Sequence, residues 1–316
     1  MVMSLLACVG EASDVAPGHP SPAVDSLALR VAVTPTLDCL PVYVAVESGL
    51  FARESLSVVL VPFTAHMDCD TAFSGGSVHA MHTDLVRAER LAHQGTPLRY
   101  ATTTALSWQL LTAKTARIRK LSQLDDKMLA MTRYSATAML ADHLSDSAKL
   151  DRERVFRIQV NDVLVRLNMM ETGTMDAMLL PEPQATAARS LGCNMLYDSG
   201  SDSLSLGVIA FRKDGPADTV RLRRQMETFV RVYDEACDSI NTLGAGHYRQ
   251  LIESCCHAGG AIVDSLLSQR PPRFSHSRQP RQQEIDRART WLGYAAPKKS
   301  VTKSLRGKGK KKGGRK

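Results

Sequence analysis

Between Leu27 and Ser199 the chain alternates short apolar runs with longer stretches whose apolar residues recur at helical spacing. "LALRVAVT" predicts a strand and "LPVYVAVESGLFARES" a helix ending in Gly-Leu-Phe. "SVVLVPF", "SVHAMHT" and "PLRYATTTA" predict three more strands. After "ARIRKLSQLDD" the pattern restarts with strand "MLAMT", helix "SATAMLADHL", strand "VFRIQV", helix "NDVLVRLNMMETG" and strand "TMDAMLL". This alternation predicts βαβ units and a largely parallel sheet. A return strand within "LSLGVIAFRKD" follows, then an amphipathic helix from about Ala217 to Leu243. Shorter helices are expected at "GHYRQLIESCC" and "EIDRARTWLGY".

The restart has a measurable spacing. "RVAVT" ends at Thr34 and "GSVHAMHT" starts 42 residues later, at Gly76. "MLAMT" ends at Thr132 and "GTMDAMLL" starts 41 residues later, at Gly173. Two lobes of similar wiring account for this echo. The expected division is a first lobe over 27–112, a second over 113–204, and a return to the first over 205–297. Residues 1–26 then form a tether and 298–316 a tail. Two crossings between lobes make a hinge.

Composition narrows the function classes. The net charge of +8 resides in the tail, where Lys298 to Lys316 holds ten basic residues and no acidic one, leaving −2 on the rest. A nucleic-acid-binding fold would carry its basic patch in the folded part, so no specific nucleic-acid partner is expected. No run approaches the roughly 18–20 apolar residues of a membrane span. Seven cysteines are scattered without a Cys-x-x-Cys pair, and His79 and His82, three apart in a strand, point to opposite faces. Neither a metal site nor a cofactor is expected. No Gly-x-Ser-x-Gly elbow, phosphate loop or His-Glu-x-x-His is present.

The strand ends carry the candidate chemistry. "TPTLD" (Thr34 to Asp38), "HTD" (His82 to Asp84), "TTT" (Thr102 to Thr104) and "TRYSAT" (Thr132 to Thr137) are rich in hydroxyls and start helices. Each hydroxyl is as well placed to cap its helix as to bind a ligand, but four such ends converging on one cleft favour ligand binding. "TMDAMLLPEP" sets Glu182 at the mouth of a sheet, where it is either a ligand-binding group or a surface loop residue. Tyr134 and Trp108 are candidates to stack on a planar ligand.

Four segments carry a family resemblance: "VAVTPTLDCLPVYVAVESGLFARESLSVVLVPF", "AFSGGSVHAM", "GTPLRYATTT" and "ETGTMDAMLLPEPQATAARSLG". Over roughly Leu29 to Asp198 the chain resembles the substrate-binding proteins of ABC importers for nitrate, sulfonates, taurine and thiamine-precursor pyrimidines. The resemblance implies an α/β, two-lobed, type II-like periplasmic-binding-protein fold that closes over a small polar solute without chemistry of its own. It implies a monomer partnered by a permease and an ATPase. The ligand-binding residues expected are Thr36, Asp38, Thr83, Thr103, Thr104, Tyr134, Ser135, Thr137 and Glu182. The carboxylates of Asp38 and Glu182 favour an aminopyrimidine or zwitterionic sulfonate over a bare anion. "SLLAC" is similar to a bacterial lipoprotein cleavage site, with Cys8 lipidated and the protein membrane-anchored in the periplasm, although "MVMSLLA" lacks a basic and apolar leader. Two rivals stand beside this reading: an enzyme of the same fold similar to thiamine-pyrimidine synthases, whose cysteine cluster is missing, and a protein held to anionic surfaces by its basic tail.

Overall fold

A computed structural model describes residues 28–294, apart from 203, 214 and 215. Cys8 and the basic tail lie outside the described residues. Among the described residues ten strands form two five-stranded sheets. The strands are β1 (Leu29–Val33), β2 (Val58–Pro62), β3 (Ala80–Asp84), β4 (Leu98–Thr103), β5 (Gln109–Thr112), β6 (Lys127–Met131), β7 (Val155–Gln159), β8 (Ala177–Leu180), β9 (Asn194–Asp198) and β10 (Gly207–Arg212). The first sheet has the order β2-β1-β3-β10-β4 and the second β7-β6-β8-β5-β9. The helices are α1 (Leu40–Glu47), α2 (Leu50–Arg53), α3 (His66–Ser74), α4 (Leu85–His93), α5 (Ala136–Ser147), α6 (Val163–Glu171), α7 (Gln184–Ser190), α8 (Pro216–Leu243), α9 (Arg249–Cys255), α10 (Gly260–Gln269) and α11 (Gln282–Trp291).

The two sheets share one plan. β1 lies parallel between β2 and β3, with Val31 opposite Ala80 and Ala32 opposite Met81. β6 lies parallel between β7 and β8, with Leu129 opposite Ala177 and Ala130 opposite Met178. The repeated Ala-Met of the sequence therefore occupies the same register position in both sheets. Each sheet is completed by an antiparallel strand, β10 against β3 and β5 against β8. Sequence periodicity missed β5 and β9. β5, which the sequence division left in the first lobe, pairs in the second sheet, so the chain crosses between sheets at 104–108 and again at 199–206.

Strand alternation fills both faces of each sheet. Val31 and Val33 pack with α1 and α8, while Ala32 faces Phe73 and Leu91. Leu129 and Met131 join a cluster that also holds Leu85 and Val86 of α4 and Val208 of β10, so one apolar cluster runs through both lobes. At the second crossing Gly207 has no room for a side chain: a Cβ would lie 2.3 Å from Thr104 Oγ1 and 2.5 Å from Leu106 Cβ.

Polar contacts hold the cleft shut. Leu37 N donates to Glu182 O at 2.9 Å, Gln184 Nε2 to Pro35 O at 2.7 Å, and Ala136 N to Asp84 Oδ1 at 3.0 Å. Ala65 and Asp162 form an isolated bridge between the lobes. α11 spans the outside, with Arg289 on Glu89 of α4 and Trp291 Nε1 donating to Asp142 of α5 at 2.9 Å. Among the described residues no helix is long and apolar enough to cross a membrane.

Candidate functional site

The loop after β1 folds back on itself because two threonines and an aspartate stand at alternate positions. Thr34 Oγ1 and Thr36 Oγ1 are 2.9 Å apart, and Thr36 donates to Asp38 Oδ1 at 2.6 Å. Thr104, from the first crossing, donates to Asp38 Oδ2 at 2.9 Å. Asp38 is 4% exposed. Burial opposes its ionisation, but the charge of His82 beside it, with the hydroxyls of Thr36 and Thr104, holds its carboxyl below the usual value.

β3 delivers His82, Thr83 and Asp84 to the same place. His82 Nδ1 lies 3.5 Å from Asp38 Oδ2, and neither of its ring nitrogens makes a hydrogen bond. Burial alone would lower its pKa; its neighbours Cys39 and Asp38 outweigh this and push it up to about 10. Thr83 Oγ1 is also buried without a partner. Asp84 Oδ1 accepts from Arg87 N at 3.0 Å and from Ala136 N at 3.0 Å, capping α4 and touching the start of α5 in the other lobe. An internal carboxylate thus occupies two helix N-termini, the position an anion favours. Burial raises its carboxyl to about 6, against the opposing charge of Arg87.

Two buried guanidinium groups stand behind these residues. Arg87 is clamped by Asp70, with Nε donating to Oδ2 at 3.2 Å and Nη2 to Oδ1 at 2.5 Å. Arg166, fully buried, donates to Val160 O at 2.8 Å, Leu179 O at 3.0 Å and Thr132 Oγ1. Burial lowers it to about 10, a fall resisted by Asp162 and reinforced by Arg87. His66, with Nδ1 shielded and unpartnered, is held well below its usual value by burial and by both arginines.

These groups line a cavity of about 10 Å³ that includes Thr36, Asp38, His66, His82, Thr83, Asp84, Arg87 and Trp108. It has room for about one water. Asp38 and Leu106 also line an adjoining open pocket of 380 Å³, with Gln109, Glu182, Asp198 and Arg270 around it.

The expected site residues divide accordingly. Thr36, Asp38 and Thr83 line the inner cavity, and Thr104 orients Asp38 from behind. Ser135 and Thr137 turn into their own loop: Ser135 Oγ accepts from Thr137 N at 3.2 Å, and Thr137 Oγ1 from Thr132 N at 2.9 Å. They cap α5. Glu182 lines the outer pocket with its oxygens engaged by Gln109 Nε2 (2.8 Å), Thr186 N (2.9 Å), the Thr186 hydroxyl and Arg189. It holds the loop between β8 and α7. Thr103 lines neither pocket and gives its N–H to Arg278 O. Tyr134 is 54% exposed, beneath Arg90 at 5.0 Å, and is not brought to the cavity. Trp108 does line it. The ligand-binding set read from the sequence left out Cys39, His66, His82, Asp84 and Arg87. "HTD" holds two of them, but hydroxyls drew the choice to Thr83; His66 and His82 drew notice only as metal candidates, and Arg87 gave no local signal.

Comparison with known proteins bears on this geometry through the fold. No family model matches the chain, and no curated protein matches it in sequence. Solved structures match well. The alkanesulfonate-binding protein SsuA from Xanthomonas axonopodis pv. citri, bound to MOPS, superposes with a TM-score of 0.71 at 14% identity, covering 86% of this chain and 93% of that one. The periplasmic nitrate-binding protein NrtA from Synechocystis PCC 6803 gives 0.68 at 10% identity, covering 87% and 84%. A Candida albicans gene product with the generic periplasmic binding protein structural fold gives 0.64 at 12%, covering 84% and 89%. The chain has the two-lobed periplasmic-binding-protein fold. At these identities the likeness establishes architecture, while function is argued from the site.

Proposed function

We propose that this protein is the solute-binding component of an ABC importer, capturing a small polar organic solute between its lobes. The observation that carries the reading is the inner cavity. Strand ends of the first sheet and loops of the second enclose Thr83 Oγ1, His66 Nδ1 and both His82 nitrogens, none with a hydrogen-bond partner. A buried polar group left unpaired costs about 1–3 kcal/mol, so such groups in one cavity are the mark of a ligand that supplies their partners. The 380 Å³ pocket beyond Asp38 takes the solute, with the inner cavity, large enough for about one water, at its inner end. An aminopyrimidine or a sulfonate bearing an amine suits this pair, with Asp38 between them. The sulfonate- and nitrate-binding proteins of the same fold support the solute class.

The solute enters when the lobes part about the crossings at 104–108 and 199–206, and their direct contacts re-form over it. The protein binds without turnover, acts as a monomer outside the cytoplasm, and delivers to a permease and its ATPase. Lipidation at Cys8 and contact of the basic tail with an anionic surface belong to the same reading. The test is thermal denaturation of the full chain against aminopyrimidines, taurine, alkanesulfonates, nitrate, bicarbonate and amino acids. A solute at 100 times its Kd adds about 2.7 kcal/mol. A shift confined to one class, abolished in Asp38→Asn, is the expected result. No shift with any class removes the support for solute capture.

A further inference from the structure

We infer that Cys39, His82 and Asp38 form a binding site for a thiophilic divalent cation of the zinc class. The inference goes beyond solute capture and does not rest on it. The Cys39 thiol, a His82 ring nitrogen and an Asp38 carboxylate oxygen all lie within 4.8 Å of one another. The three residues are 0%, 2% and 4% exposed. Zinc bonds of about 2.3 Å to sulfur and 2.0–2.2 Å to nitrogen and oxygen place tetrahedral donors about 3.3–3.7 Å apart. The donors need only a modest contraction to meet that spacing.

The second observation is independent of the clustering. His82 lies on a buried strand, its Nδ1 3.5 Å from Asp38 Oδ2 and neither ring nitrogen in hydrogen-bonding geometry with a partner. The Cys39 sulfur meets the hydroxyls of Thr34 at 3.6 Å and Thr36 at 3.8 Å. Asp38, by contrast, is fixed by the Thr36 and Thr104 hydroxyls. Hydroxyls that orient a carboxylate while its remaining lone pairs face a histidine and a thiol are the outer support a metal site needs. Thiolate, imidazole and carboxylate together select a borderline-soft cation over magnesium or calcium.

The fourth position opens on the inner cavity, where a water or a polar atom of the solute completes the coordination. All three ligands belong to the first lobe, Asp38 and Cys39 from the turn after β1 and His82 from β3, so the site survives opening of the cleft.

Cobalt(II) titration of the reduced, chelator-treated full chain tests this. The expected result is one equivalent bound, with a thiolate-to-cobalt charge-transfer band in the near ultraviolet. The band is lost in Cys39→Ser, binding weakens at least about 100-fold in His82→Ala, and both persist in the distant Cys193→Ser. X-ray absorption of the zinc-loaded native chain provides a readout that needs no variant, with one sulfur at about 2.3 Å among nitrogen and oxygen neighbours. The proposal is overturned if cobalt gives no charge-transfer band, if the band survives Cys39→Ser, or if the zinc shell holds no sulfur. The solute panel reports separately, since it can fail while the metal binds, and the reverse.

Discussion

Asp84 and Thr83 are adjacent, yet substitution separates their roles. Asp84 Oδ1 receives two backbone N–H groups, one from each lobe. Because burial raises its folded carboxyl from 3.8 to about 6, the native state loses stability as pH rises through that interval. At pH 8 the ionised form stands at a cost on the order of 3 kcal/mol. Asp84→Asn keeps an acceptor and removes the charge, so its Tm at pH 8 should exceed that of the native chain by several degrees. Asp84→Ala also removes the charge but abandons both donors, so it should be about 1–3 kcal/mol less stable than Asp84→Asn; equal stabilities of the two variants would refute the cap. Thr83 presents the opposite case. Its hydroxyl has no partner to lose, so Thr83→Val should raise the Tm of the unliganded chain, relieving a cost of about 1–3 kcal/mol, while weakening solute binding about 3- to 10-fold, the worth of one hydrogen bond. Calorimetry beside a denaturation curve reads both, and a destabilised Thr83→Val with unaltered affinity would place the hydroxyl outside the site.

Among elements, the crossings carry the stricter demands. β10 reaches the first sheet through Gly207, whose missing side chain lets Thr104 N donate to Gly207 O at 2.9 Å and Thr104 Oγ1 reach Asp38. Gly207→Ala forces Thr104 and Leu106 aside and should cost about 1–3 kcal/mol, as overpacking does. It should also impair solute binding by freeing Asp38. Urea denaturation with a parallel binding titration checks this, and a fully stable, fully binding variant would show that the crossing relaxes without consequence. The strands that periodicity identified are those whose apolar alternation is set locally, such as β1 with Val31 and Val33. β5 and β9 escaped because "QLLT" and "NMLYD" are short, and only their antiparallel partners make them strands.

At the scale of the molecule, the cleft is closed by backbone and side-chain contacts between the lobes, by a shared apolar cluster, and by α11 across the outside. Under the proposed solute capture, entry would require several of these contacts to part together. Small-angle scattering of the full chain should show a larger radius of gyration without solute and a fall to the closed dimensions on saturation. An unchanged radius would exclude hinge closure as the binding step.

The amino-acid sequence by itself determined the α/β pattern, the doubled wiring visible in "RVAVT…SVHAM" and "MLAMT…TMDAM", and the hydroxyl-rich strand ends. Each of these is a property of neighbouring residues, fixed by side-chain alternation and helix-capping chemistry. Tertiary structure alone decided that Cys39 meets His82, which is 43 positions away, because parallel pairing of β1 with β3 sets their strand ends side by side. It also decided that Ser135 and Thr137 spend their hydrogen bonds on their own loop, and Glu182 on Gln109, Thr186 and Arg189. Whether a polar atom faces a ligand or its own backbone depends on which partners folding brings within 3 Å or so, and local pattern does not contain that distance.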